Sequence, residues 1–272
     1  MKLTYLGTAA AEGFPAIFCN CKYCTEARRL GGKNIRTRSQ ALINDDLLLD
    51  LPADTYSHFL SNGIEGHKIK YLLVTHSHSD HFYPAELEMR HNGFAHNMDT
   101  NQLKLFCGKG AFTAFESLKR ENWNIGSNLL KPFETVSFGN YTVTALPARH
   151  FIGDEPLIYL IESEKTLLYA HDTGYFLDEV FDFLKEKSVK LDFISLDCTC
   201  VDIPTKDESS HMGIDNIERV VKKLTEIEVI TNNTIKVLNH FSHNANPLHH
   251  VLEQRVSSMG YIVSYDGFSI EI

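Results

Sequence analysis

The stretch YLLVTHSHSDH, residues 71–81, places three histidines and an aspartate directly after a short apolar run. The apolar run predicts a buried strand, because it is short and rich in branched and aromatic residues. The polar side chains that follow would cost several kcal/mol each to desolvate if they were left unpaired. A cation between them explains the crowding, since histidine nitrogen and aspartate oxygen together suit zinc, manganese or iron. On an irregular turn, His76 and His78 can face one ion while Asp80 and His81 face a second.

Three further candidate ligands follow other predicted strands. His150 comes after the run 141–146, Asp172 after 166–170, and His240 after 235–238. Strand ends can hold ligands from distant parts of a chain in register. The sequence therefore predicts one metal centre assembled from four strand ends.

The remaining pattern predicts a single α/β domain, residues 1–272, of sandwich type. Short β-rich runs recur along the chain and helical patterns fall between them. The predicted strands are 3–6, 41–49, 69–74, 103–106, 141–146, 157–161, 166–170, 193–196, 235–238 and 261–270, with hairpin turns at 44–46 and 266–267. The predicted helices lie around 54–62, 109–120, 176–187, 213–227 and 247–258. Paired strands followed by helices, occurring twice, indicate two sheets packed face to face with helices outside.

Composition narrows the function classes. The chain has 272 residues with 43% hydrophobic and 22% charged content, as in an ordinary globular protein. A net charge of −9 disfavours a surface built to grip nucleic acid, although bound divalent ions would cancel part of that charge. No apolar run approaches the roughly 20 residues of a membrane span. We therefore expect a cytoplasmic protein with no membrane association, and a homodimer is left open.

The motif His76-Ser77-His78-Ser79-Asp80-His81 resembles the hallmark of the metallo-β-lactamase superfamily. The resemblance covers nearly the whole chain and implies an αββα sandwich of two packed mixed sheets with helices on the outer faces. It implies two divalent catalytic ions, zinc or manganese, with iron and nickel as alternatives. By motif, one ion is bound by His76, His78 and His150, the other by Asp80, His81 and His240, and Asp172 bridges both. Asp50 matches an aspartate that orients the ligands.

The bridging aspartate disfavours a β-lactamase, and two features resemble the phosphodiesterase branch. One is the opening GTAAAEGFP at 7–15 followed by CNCKYC at 19–24. The other is DCT at 197–199 followed by SSHMG at 209–213. Together they most resemble the cyclic phosphodiesterase of the carbon–phosphorus lyase pathway. The resemblance implies a hydrolase of small phosphodiesters, cyclic ones included, that uses a metal-activated hydroxide. It implies His211 as the proton donor and Asp172 as a second catalytic residue. A lactonase, a thioester hydrolase and a tRNA-processing endonuclease are the alternatives.

Three cysteines, Cys19, Cys21 and Cys24, lie too close together to form disulfides without strain. In a reducing compartment such a cluster favours metal, and we expect a structural zinc completed by His243. A set of free thiols, or Cys198 or Cys200 as the fourth ligand, are the alternatives. Isolated histidines such as His58 and His249 are expected at the surface. The candidates for phosphate contacts are Lys22, Arg36, Arg38 and Arg149.

Overall fold

Two seven-stranded mixed sheets form the centre of the protein, whose computed structural model describes residues 1–151 and 153–272. In spatial order the first sheet contains β14 (Ser269–Glu271), β1 (Lys2–Gly7), β2 (Gln40–Ile43), β3 (Leu47–Leu49), β4 (Tyr71–Val74), β5 (Leu103–Cys107) and β6 (Ile125–Leu129). The second contains β13 (Ile262–Val263), β12 (Ile235–Asn239), β11 (Phe193–Asp197), β10 (Thr166–Ala170), β9 (Leu157–Glu162), β8 (Tyr141–Pro147) and β7 (Thr135–Phe138). Each sheet is antiparallel over its first or last strands and parallel over the rest.

Six α-helices accompany the sheets within the described residues. They are α1 (Lys22–Leu30), α2 (Thr55–Asn62), α3 (Lys109–Leu118), α4 (Asp178–Glu186), α5 (Ile214–Glu226) and α6 (His249–Val256). The apolar residues of α4, α5 and α6 pack on the outer face of the second sheet, and those of α3 pack on the outer face of the first. No helix in these two ranges is long and apolar enough to cross a bilayer.

The space between the sheets is filled by alternate side chains of both. Along β10, Leu167 and Tyr169 point into this layer, whereas Leu168 and Ala170 point toward the outer helices. This alternation follows from the two-residue period of a strand with both faces covered. Two buried hydrogen bonds also cross between the sheets: Tyr159 donates to the carbonyl of Val74 at 2.6 Å, and the hydroxyl oxygens of Tyr5 and Ser195 are 2.6 Å apart.

The predicted αββα sandwich is confirmed. Every predicted helix is present to within a few residues at each end, and the turn at 44–46 joins β2 to β3 as expected. The prediction of one hairpin over 261–270 is wrong, because β13 belongs to the second sheet and β14 to the first. Helix α1 and strands β6 and β7 were not predicted. Strand β6 (IGSNL) and helix α1 (KYCTEARRL) carry few apolar residues, so their periodicity is weak.

Candidate metal centre

The carboxyl ends of several strands meet at one edge of the sandwich, and seven candidate ligands converge there. Strands β3 and β4 are parallel neighbours, as are β10, β11 and β12, so the residues that follow them lie side by side. The ligand atoms of His76, His78, His150 and Asp172 lie within 4.8 Å of one another. The same holds for Asp80, His81, Asp172 and His240. The structure thus brings together the seven side chains in two groups that share Asp172.

The donor atoms face each other at short distances. Nε2 of His150 is 3.2 Å from Nδ1 of His78, and Nε2 of His81 is 3.1 Å from Nε2 of His240. Oδ2 of Asp172 is 3.2 Å from Nε2 of His76 and 2.9 Å from Nε2 of His81. Two nitrogen or oxygen ligands on one tetrahedral zinc would be about 3.3 Å apart, given bonds of about 2.0–2.1 Å. The spacing therefore fits ligands of a shared cation.

Unsatisfied polar atoms point to the same conclusion. Nε2 of His76 and Oδ1 of Asp172 are buried and have no hydrogen-bond partner within the part of the chain that the structure describes. Buried polar atoms are rarely left without a partner, because each costs free energy comparable to a lost hydrogen bond. Burial lowers the pKa of His81, yet the nearby carboxylates of Asp172, Asp50 and Asp80 more than offset it and hold that pKa well above its usual range. A site that draws a proton onto a buried imidazole also attracts a metal cation.

Neighbouring side chains orient the ligands. Asp50, predicted in this role, accepts a hydrogen bond from Nδ1 of His81 at 2.7 Å, and its other oxygen accepts from the amide and hydroxyl of Thr75 at 2.8 and 2.9 Å. Nδ1 of His150 is 3.2 Å from the carbonyl oxygen of Ser210, and Nδ1 of His240 is 2.8 Å from the hydroxyl of Thr199. Such partners fix the ring orientation of a ligating histidine.

His211 lies beside this centre on the loop before α5. Nδ1 of His211 is 3.0 Å from Oδ2 of Asp197 and 3.5 Å from Oδ1 of Asp172. Burial lowers the pKa of His211, but the charge and hydrogen bond of Asp197 outweigh it and raise the pKa to about 9. The side chain keeps 25% of its exposure. The carboxylate of Asp197 therefore favours the protonated form of His211, and the ring is accessible to a small molecule.

Gly174 allows the loop of Asp172 to pack against the loop of His211. A Cβ atom at Gly174 would lie 1.8 Å from the carbonyl oxygen of Ser209, a distance that no side chain can adopt without moving the backbone. This close approach sets the distance between the shared carboxylate and His211.

Sequence reasoning missed two acids that hold this edge together. Asp197, fully buried, is the last residue of β11 and accepts hydrogen bonds from the amides of Thr199 and Met212 at 3.0 and 3.2 Å. The strand-end argument that identified Asp172 would have found it. Asp154 accepts from the amide of Ser77 at 2.7 Å and so braces the His76–His78 turn. It lies in an irregular loop, where no pattern marked it.

The second predicted site is a cluster of Cys19, Cys21, Cys24 and His243, whose ligand atoms lie within 4.8 Å of one another. Nδ1 of His243 is 3.7 Å from Sγ of Cys21 and 3.6 Å from Sγ of Cys24. Tetrahedral zinc, with Zn–S of about 2.3 Å and Zn–N of about 2.0 Å, places sulfur and nitrogen about 3.6 Å apart. The hydrogen bond to His243 lowers the pKa of the Cys21 thiol to about 6, which favours the thiolate that metals bind.

The alternative ligand Cys198 lies elsewhere, in the core between the second sheet and its helices. Some other expectations are wrong. His58 and His249 are buried, not at the surface, and Nδ1 of His58 is 2.6 Å from the amide oxygen of Gln40. Arg36 is also buried and cannot contact a substrate: it donates to Thr8 at 2.9 Å and to the carbonyl of Ser264 at 2.6 Å.

The candidate phosphate contacts other than Arg36 have protein partners of their own. Arg38 forms an ion pair with Asp54 at 3.1 Å, and Nε of Arg149 donates to the carbonyl of Tyr175 at 3.0 Å. The ammonium of Lys22 lies over the ring of Tyr23. None of these contacts places a positive charge on the metal centre.

Comparison with solved structures finds the same fold in several proteins. A diphosphatase from the PhnP family is 20% identical with a TM-score of 0.76, and the alignment covers 100% of this chain and 97% of that one. Zn²⁺-bound PqqB from Methylobacterium extorquens is 20% identical with a TM-score of 0.74 and full coverage of both chains. The short form of human tRNase Z is 16% identical with a TM-score of 0.67, covering 100% and 99%. At these identities the likeness concerns the fold.

Sequence comparison gives the family. No curated protein matches the chain. The family description "Beta-lactamase superfamily domain" matches residues 53–241, a span that runs from the segment after Asp50 through His240. The match therefore includes all seven side chains of the candidate metal centre. Together with the two-sheet architecture, it shows that this chain belongs to the β-lactamase superfamily domain family and has the metallo-β-lactamase fold.

Proposed function

We propose that this protein is a metal-dependent phosphodiesterase that acts on small phosphodiesters, cyclic ones included. The observation that carries the proposal is His211, whose Nδ1 lies 3.0 Å from the carboxylate of Asp197 beside a centre whose shared ligand is a carboxylate. The charge of Asp197 raises the pKa of His211. A phosphodiester with an alkoxide leaving group needs a proton donor at the departing oxygen, because an alkoxide is too basic to leave readily.

The residues present fit two divalent ions. His76, His78 and His150 would hold one, Asp80, His81 and His240 the other, with Asp172 shared. When bound, such ions neutralise charge on phosphate oxygens and make water a stronger nucleophile. Zinc and manganese both accept this ligand set, and iron and nickel are alternatives.

His211 supplies the proton. Its Nδ1 is occupied by Asp197, so Nε2 is the nitrogen that can reach a substrate oxygen. The carboxylate of Asp197 fixes this orientation and stabilises the positive charge of the imidazolium until the proton is transferred. A thiolate leaves without such help, because its conjugate acid has a pKa of only about 8.5. A proton donor of this kind is therefore less useful to a thioester hydrolase.

We also propose that Cys19, Cys21, Cys24 and His243 bind a structural zinc. His243 lies three residues after His240, and the cysteines belong to the N-terminal part of the chain. A closed four-ligand site at this position would tie the N-terminal loop to the loop that carries His240.

A substrate panel tests the proposed function. The full chain, loaded in turn with zinc and manganese, would be assayed on bis(p-nitrophenyl) phosphate, a 2′,3′-cyclic nucleotide, a lactone, a thioester and a tRNA precursor at low salt. We expect hydrolysis of the two phosphodiesters. Activity confined to the lactone, the thioester or the tRNA precursor would replace the proposal by the corresponding alternative.

The variant His211→Ala makes the test specific. We expect it to lower turnover on the cyclic nucleotide by about 10²–10⁴-fold, the usual contribution of a general acid. The same change should have little effect on bis(p-nitrophenyl) phosphate, because nitrophenolate leaves without a proton. Equal losses on both substrates would remove the proton-donor role from His211.

A further inference from the structure

A cavity of about 840 Å³ lies on the outer face of the first sheet, and no residue of the metal centre lines it. Its floor is formed by Leu48 and Leu72 of β3 and β4 and by Leu51. Its walls come from α2, from the 3₁₀ helix Pro84–Arg90 and from the segment that follows this helix. Ligand sites in proteins have volumes of about 300–1,000 Å³ and are mostly apolar with a few placed polar groups. The size and lining of this cavity match that description.

The rim is also apolar. Tyr56 of α2 and Phe94 of the segment after the 3₁₀ helix are exposed by 67% and 62%, and Met89 of that 3₁₀ helix is exposed by 46%. A cluster of large exposed apolar side chains marks a surface that binds an apolar molecule.

Arg90 supplies the charge in this apolar wall. Among residues 1–151 and 153–272, its buried Nε has no hydrogen-bond partner. Its Nη2 donates a long hydrogen bond of 3.4 Å to the carbonyl of Thr100. Burial lowers the pKa of Arg90, and no carboxylate of the described residues lies close enough to form an ion pair with it. A partly buried guanidinium without an anion is costly, because it has lost water without gaining a partner. An anionic ligand would remove that cost.

We infer that this cavity binds an amphipathic carboxylate, a medium-chain fatty acid, with its chain on the leucine floor and its head group at Arg90. A carboxylate suits the site better than a phosphate. Glu86 lies in the same wall, and a dianionic head group would be repelled by it more strongly than a singly charged one. The fork of N–H groups on a guanidinium also matches a carboxylate in geometry.

Isothermal titration calorimetry of the full chain with decanoate and with decanamide tests this inference. The two probes share the same chain, and only decanoate carries a charge. We expect decanoate to bind at least tenfold more tightly than decanamide. Arg90→Gln should weaken decanoate binding about tenfold and leave decanamide unchanged, as expected for loss of one charged hydrogen-bond partner.

Two further variants separate the cavity from its surroundings. Arg120→Gln removes an exposed arginine that does not line the cavity, and should bind both probes like the wild type. Ala95→Trp places a large ring in the cavity wall and should weaken both probes at least tenfold. A thermal melt of each variant would establish that it is folded.

Several results would overturn the inference. One is no binding of decanoate by the wild type up to about 1 mM, the weak limit of specific recognition. A second is equal affinity for the charged and the uncharged probe. The third is a dimer, detected by analytical ultracentrifugation, that Ala95→Trp dissociates and that decanoate leaves intact. A second copy of this chain would then be the occupant of the cavity.

Discussion

Replacing Asp197 by asparagine isolates the electrostatic control of His211. An asparagine oxygen can still accept the hydrogen bonds that the amides of Thr199 and Met212 donate. Its NH₂ group would then face Nδ1 of His211, where a carboxylate oxygen now lies at 3.0 Å. Asp197 is fully buried, so water cannot replace the lost acceptor. The imidazolium loses its hydrogen bond to a carboxylate and the nearer of its two counter-charges, while the volume of the side chain is kept.

The expected loss depends on pH. With its pKa raised from 6.5 to about 9, His211 is about 90% protonated at pH 8. If the pKa returned to its ordinary value, the protonated fraction at pH 8 would fall to about 3%, a loss of about 30-fold. At pH 5.5 both forms are almost fully protonated, and the difference nearly disappears. His211 can donate a proton only below its pKa. As pH rises, the variant should therefore lose activity at a lower pH than the wild type does.

Two other effects change the size of this loss but not its direction. Burial disfavours the charged imidazole while the remaining carboxylate of Asp172 favours it, so the balance of the two sets the pKa of the variant and the size of the loss at pH 8. Bound cations would lower the pKa of His211 in both proteins, which moves the pH at which the loss develops. The descending limb of the variant stays at the lower pH in either case.

The measurement is kcat/KM from pH 5.5 to 9 on a 2′,3′-cyclic nucleotide and on bis(p-nitrophenyl) phosphate. The loss should appear on the first substrate alone, because only its leaving group needs a proton. Asp207→Asn is the matched control. Asp207 lies on the same loop, but it is paired with Arg219 at the surface and should be neutral in both assays. If the two pH profiles of wild type and Asp197→Asn coincide, or if both substrates lose equally, Asp197 does not act through the proton of His211.

Three further changes test other parts of the site. Asp172→Ala removes the shared carboxylate and should lower kcat/KM by about 10³-fold or more, while the far-UV circular dichroism stays the same. An active variant would rule out the two-ion assignment. Cys21→Ser should reduce the metal content, measured by elemental analysis, from about three ions to two and lower the melting temperature by about 5 °C or more. A fully active wild type that contains only two ions would exclude the structural zinc. Gly174→Ala should destabilise the fold by about 1–3 kcal/mol and move the His211 loop away from the centre, so turnover should fall more on the cyclic nucleotide than on the nitrophenyl ester. Unchanged kinetics would contradict the close approach to Ser209.

The sheets were largely predictable because their strands bury both faces. Runs such as 103–107 and 193–197 consist almost entirely of buried residues, so a short apolar run bounded by polar residues identifies them. Two segments that were not predicted correctly each have a physical reason. Strand β6 lies at the edge of its sheet and its C-terminal residues are exposed, so it is not a continuous apolar run. The two strands of the 261–270 run pair with different partners, and pairing is a property of the fold that no local pattern contains.

The grouping of ligands was predictable in part for the same reason. A polar side chain directly after a buried strand lies at a sheet edge, and this argument applies to His76, Asp172 and His240 without any alignment. The residues that hold the ligands in place were harder to find. Thr75 and Thr199 are common residues whose roles depend on their hydrogen bonds to Asp50 and to His240. Their contacts join segments far apart in sequence, so only the fold reveals them.

Backbone conformation links these strand ends to their function. Asp50 and His240 directly follow β3 and β12, and Asp172 lies two residues after β10. Each has a positive φ, of 64° for Asp50, 50° for Asp172 and 63° for His240. Non-glycine residues rarely adopt this left-handed region, and each costs of order 1–3 kcal/mol when held there. A chain that continued in the extended conformation would carry each side chain along the strand direction, away from the others. The left-handed turn instead redirects all three toward one point, where Asp50 orients His81 while Asp172 and His240 meet it directly. The strain is tolerated because the buried sheets hold the strand ends fixed, and it places three converging polar groups where a cation can stabilise them together.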